Sequence, residues 1–201
     1  MLVACALFVL VITLTFGYLI PASKAAYRFR ERSHLQQSAV IALSHIGMAA
    51  ATTSPSGFSW SAASDGAVAL GFNPWQELQA ANGLLRWQDS FEMFWWDQDR
   101  HELRRRRWPP GPPTPTPDES TLARPKRLLP ARLAEVVQTS APALTLAYGV
   151  TDFSVEQQGV AGELIQPVTV RITLVERGRE LDPDGALTVT HSLAFHMVNQ
   201  Q

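Results

Sequence analysis

The chain has 201 residues, a formal net charge of −1 and a single cysteine, Cys5. Near-balanced charge argues against a protein that binds polyanions over its whole surface. One cysteine excludes an internal disulfide and any metal centre built from cysteines.

Met1 to Ile20 reads MLVACALFVLVITLTFGYLI, twenty residues without a charged side chain. At about 1.5 Å rise per residue such a helix covers roughly 30 Å, the thickness of a bilayer's hydrocarbon core. Thr13 and Thr15 are expected to return their hydroxyls to carbonyls of the preceding turn, which makes them tolerable in lipid. Residues 1–22 are therefore predicted to form a transmembrane helix, with the lipid bilayer as partner. Pro21 cannot donate a backbone hydrogen bond, so a kink is expected there, with Gly17 beside it.

Residues 23–51 are predicted to continue the same helix in amphipathic form. Lys24, Arg28, Arg30 and Arg32 crowd the exit from the apolar run, and Tyr18 and Tyr27 sit where aromatic rings favour a membrane interface. Beyond them Leu35, Ala39, Ala42, Leu43, Ile46, Ala49 and Ala50 fall on one helix face. Ala39, Leu43 and Ile46 are the residues expected to hold a folded domain to this helix.

The stretch LVACALFVLVITLTFGYLIPASKAAYRFRERSHLQQSAVIALSHI resembles the N-terminal helix of type IV pilin-like proteins. The likeness is greatest to the minor pseudopilins of type II secretion (J class) and related W-class minor pilins. In that family a short basic leader and Gly precede Phe-Thr-Leu-(Ile/Val)-Glu, an apolar run and an amphipathic half. Met1-Leu2-Val3-Ala4 matches the residues that follow that Glu, whereas the Gly-Phe-Thr-Leu-Ile-Glu stretch itself is absent. The expectation is that Met1 is an internal residue and that the start lies upstream. Prepilin peptidase would then be a partner, although neither its cleavage site nor the methylated residue can be assigned to this chain. The basic residues after the span, taken alone, would place the rest of the chain in the cytoplasm; a basic leader would reverse that. The resemblance implies a single-pass protein of the inner (cytoplasmic) membrane with a periplasmic or extracellular domain. A generic membrane anchor and a cleaved secretory signal are the plainer readings of the same stretch.

Residues 52–201 read as a β-rich domain, and about 180 residues beyond the span suffice for one domain plus a linker. Ala50 to Gly66 is a polar loop with a short strand at Phe58 and Trp60. Strands are predicted at Ala67–Phe72, at Leu84–Gln88 after the Asn82-Gly83 hairpin signal, at Phe91–Trp96 and at Glu102–Trp108. The arginines of the last suggest a wet edge. Residues 109–125 hold seven prolines in 17 residues and form a stiff, solvated linker. A short helix with Pro130 in its first turn is expected at Arg127–Val137. Strands follow at Ala143–Tyr148, Val150–Glu156, Pro167–Arg177 and Leu187–Val198, the last two joined by a turn at Asp182-Pro183-Asp184-Gly185. The fold class is α+β, a long N-terminal helix packed on an antiparallel β-sheet, pilin-like in the order of its elements.

No catalytic constellation stands out, and the sequence points to a non-enzymatic protein without metal or cofactor. The five histidines share no ligand spacing, and Asp182 to Gly185 suits a plain turn better than a calcium loop. Arg104, Arg105, Arg106 and Arg107 lie among Trp95, Trp96 and Trp108, a composition that can hold single-stranded nucleic acid. The plainer reading has these arginines guarding a strand edge and meeting Asp97, Asp99 and Glu102, and it is preferred.

The resemblance implies a structural minor pseudopilin or minor pilin whose partners are other pseudopilins or pilins. In such a filament Leu2, Val3, Leu7, Leu10 and Leu14 would pack in the core. The alternatives are a single-pass anchored periplasmic binding module, DNA-binding through Arg104–Arg107 in one version, and a membrane-tethered enzyme.

Overall fold

The computed structural model describes residues 2–62, 68–78, 85–109, 124–139, 141–157, 166–176 and 186–197. Helix α1 (Leu2–Ala51) runs without a break through Pro21. It is long and apolar enough to cross a membrane, and its apolar window is bare of protein contacts. A single 3-10 turn (Pro55–Gly57) then leads into strands β1 (Phe58–Ala62) and β2 (Val68–Phe72). After them come β3 (Trp75–Leu78), β4 (Leu85–Trp87), β5 (Phe91–Asp97) and β6 (Glu102–Trp108). The chain continues through α2 (Pro130–Gln138), β7 (Leu144–Tyr148), β8 (Val150–Gln157), β9 (Val168–Glu176) and β10 (Leu187–Phe195).

The fold is α+β, with the docked half of α1 packed on antiparallel strands. They form a five-stranded sheet ordered β1-β2-β5-β6-β7, a three-stranded sheet β10-β9-β8 and the pair β3-β4. The two larger sheets meet at Gly149, between β7 and β8. The Val150 amide donates to the His101 carbonyl at 2.9 Å, and the Val175 amide donates to the Gly149 carbonyl at 2.8 Å. Gly149 has φ +70°, and a Cβ there would lie 2.6 Å from the Val175 carbonyl oxygen, so only glycine fits this corner.

The main core lies between α1 and the inner faces of both sheets. Period-2 alternation in β9 sends Val168, Val170, Ile172 and Leu174 into it. A cluster of rings joins the sheets, with Phe72 5.8 Å from Phe94 and 6.1 Å from Phe195 across the gap. A second core covers the opposite face of the five-stranded sheet, where Leu133 and Val136 of α2 pack on Ala69, Phe91, Met93 and Trp95. Pro130 opens α2 at its first turn, where a missing amide hydrogen costs nothing.

Two details differ from the sequence expectation. β6, expected at a wet edge, is an interior strand, because its backbone pairs with β5 on one side and β7 on the other, and its arginines find partners on both faces. The strands also divide among separate sheets rather than forming one. The Asn82-Gly83 and Asp182–Gly185 turns and most of the 109–125 linker lie outside the described residues.

Candidate functional site: the bare and docked faces of the N-terminal helix

Among the described residues, the first half of α1 is exposed along its length. Val3, Leu7, Leu10 and Leu14 are between 56% and 74% exposed; Leu2 lies in the helix, with its side chain outside the described residues. The Thr13 and Thr15 hydroxyls donate to the carbonyls of Val9 and Val11, at 2.8 and 2.7 Å, so neither needs a partner outside the helix. Such a surface is long and apolar enough to cross a membrane.

From Leu35 onward the same helix is docked. Leu35, Ala39, Ala42, Leu43, Ile46, Ala49 and Ala50 are buried in the main core, with Ala39, Ala42, Ile46 and Ala50 fully so. Alanine at 39, 42 and 50 lets the helix axis approach the sheet closely. The outward face keeps Val40, Ile41 and Met48 exposed. A polar clamp adds to the apolar contact. Arg105 donates from Nη1 to His45 Nδ1 at 3.1 Å and from Nε to Glu92 at 3.0 Å, tying α1 to β6 and β5. An arginine can only donate, so His45 accepts through an unprotonated Nδ1. Sequence reading missed this clamp; its one signal was a histidine on the flank of the docked helix face.

Where α1 meets the domain, a groove of about 460 Å³ opens. Glu31, His34, Leu35 and Ser38 form its helix side; His101, Tyr148, Gly149 and Glu176 are among the residues opposite. The Glu31 and Glu176 carboxyls share a hydrogen bond, and the Glu176 value is raised, chiefly by burial and then by the Glu31 charge and hydrogen bond, against an opposing effect of His34. Among the described residues no three His, Cys, Asp or Glu side chains are grouped to hold a metal ion.

The four arginines of β6 alternate between the two faces of the sheet and form no common basic surface. Arg105 and Arg107 share one face; Arg107 bonds Ser90 Oγ at 2.9 Å and also Gln88 Oε1. On the other face Arg104 pairs with Asp97 at 3.3 Å and lies 3.7 Å from Glu102. Arg106, only 6% exposed, lies over the rings of Trp95 and Trp108 at 5.1 and 5.7 Å. Its Nη1 donates to the Thr139 and Ala141 carbonyls just past α2, the position where a cation complements a helix C-terminus. Burial, and then the charge of Arg104, draw the Arg106 guanidinium below its ordinary value.

Comparison with protein-family models, curated proteins and solved structures returns no match to this chain.

Proposed function

We propose that this chain is a structural minor pseudopilin or minor pilin of a type II secretion or type IV pilus filament, without enzymatic activity. The observation that carries the reading is the division of one unbroken helix into a bare apolar half and a half buried in a β-rich domain. In this reading the bare half waits as a transmembrane helix in the inner membrane, with the domain on the periplasmic or extracellular side. It then moves sideways from lipid into a bundle of equivalent helices. That transfer loses little, because both surroundings are apolar and close packing supplies the gain. Val3, Leu7, Leu10 and Leu14, with Leu2, would fill the bundle, and the sheets would face neighbouring subunits.

Cys5 provides the test, since it is exposed on the bare half. With a complete set of filament components present, oxidation should cross-link Cys5, or cysteines placed beside it, to cysteines introduced at the corresponding positions of sister helices. Leu10→Lys should abolish those cross-links, because a charge in a packed apolar bundle has no partner. A protein that stays singly embedded and never cross-links would overturn the proposal. The second reading, an anchored binding module, is favoured by the groove at Glu31 and Glu176; it predicts that stable singly embedded form.

A further inference from the structure

We propose that the basic collar on α1, just beyond its apolar run, is a binding surface for anionic phospholipid headgroups. The inference rests on the reading of residues 1–22 as membrane-spanning and goes on to name the lipid class and the residues that select it. Residues 1–30 contain no acid, and Glu31, the first, lines the groove that Glu176 also lines. Lys24, Arg30 and Arg32 are exposed, and none of them is ion-paired among the described residues. Arg28 belongs to the same cluster by sequence.

Position along the rod favours lipid over a protein partner. At about 1.5 Å per residue Lys24 stands roughly 6 Å beyond Ile20, Arg30 about 15 Å and Arg32 about 18 Å. The headgroup layer is about 5–8 Å thick on each side of the hydrocarbon core, so Lys24 falls among the phosphates. Arg30 reaches back toward them along its stem and through helix tilt, and Arg32, farther out, acts on them across about a Debye length. With about 100° between successive residues, these three side chains point to three sides of the helix. A ring of headgroups can meet such a collar, whereas a single docked protein would meet only one side. Tyr18, 76% exposed, and Tyr27, 58% exposed, bracket the boundary with rings suited to it.

Charge asymmetry reinforces the assignment. Residues 1–32 carry four basic and one acidic side chain, against thirteen basic and seventeen acidic in the remainder. An acidic bilayer surface therefore attracts the collar and repels the domain above it. The two effects together hold the domain off the membrane.

The full chain should be reconstituted into phosphatidylcholine vesicles containing phosphatidylglycerol, with trace spin-labelled lipid of either headgroup. The expected result is a several-fold enrichment of the phosphatidylglycerol label in the motionally restricted shell, with an upper bound of about fivefold for each cation in contact. The preference should fall toward unity in a Lys24→Gln/Arg30→Gln/Arg32→Gln variant and in high salt, where screening shortens the interaction. Lys24→Gln alone should weaken it more than Arg32→Gln alone. Equal restricted fractions for the two labels, in protein that resists carbonate extraction, would overturn the proposal and leave the spanning reading intact. Protein extracted by carbonate would overturn both.

Discussion

At the scale of single residues, three side chains carry sharp consequences. Gly149→Ala should destabilise the domain by at least ~1–3 kcal/mol, because alanine is strained at this φ and its Cβ meets the Val175 carbonyl; a lowered denaturation midpoint of the full chain in micelles checks this. Arg106→Ala should cost about 2–4 kcal/mol, as it opens a cavity beneath Trp95 and Trp108 and strips two carbonyls of their donor. Arg106→Met should recover more than half of that loss in the same melts. The guanidinium already leaves Nε and Nη2 without partners, so its charge is a cost and its packing the gain. For Glu176, the raised value means that the folded state holds this proton more tightly than the unfolded chain does. Its contact with Glu31 contributes fully below the ordinary carboxylate range, and the contribution is lost as pH rises through the raised value. Glu176→Gln keeps a hydrogen bond to Glu31 without a second charge. It should flatten the dependence of the melting temperature on pH in that window and raise stability at neutral pH.

At the scale of elements, the docked half of α1 holds helix and domain together. Ile46→Ala should destabilise by about 2–5 kcal/mol, the usual range for a large buried aliphatic side chain, and thermal melts would show it. Ala42→Leu should also destabilise, by about 1–3 kcal/mol, since Ala42 is fully buried and added methylenes overpack the core around it. Much at this scale was legible beforehand. The seven apolar positions from Leu35 to Ala50 read as one helical stripe are the seven that are buried among the described side chains of α1. The alternation in β9 and the proline at the start of α2 marked those elements with the same directness. What could not be read was produced by contacts between distant segments. Four successive arginines look like a solvated edge until Glu92, Gln88, Asp97 and two carbonyls beyond α2 are brought around them. Glu31 and Glu176 stand 145 positions apart, and neither carries a local pattern that announces the other. The layer formed by α2 was hidden for a related reason, because a short amphipathic helix does not say which face of which sheet it will cover.

For the whole molecule, independence of the two halves of α1 is the central expectation. Residues 3–27 are exposed throughout, so deleting residues 1–27 should leave a folded domain that no longer needs detergent. Its melting temperature should move by less than ~2 °C, corresponding to under ~1 kcal/mol for a domain of this size. A large drop would mean that the bare rod supports the domain in some way its contacts do not reveal. Between the apolar run and the groove lie ten residues, 21–30, exposed on every side, about 15 Å of helix. At their base, Pro21 cannot offer an amide to the Gly17 carbonyl one turn below. A lateral load on the domain therefore acts as torque through a short lever arm, and the rod yields first where that carbonyl has lost its partner. The domain can be swung and re-aimed by whatever pulls on it, while both cores stay intact.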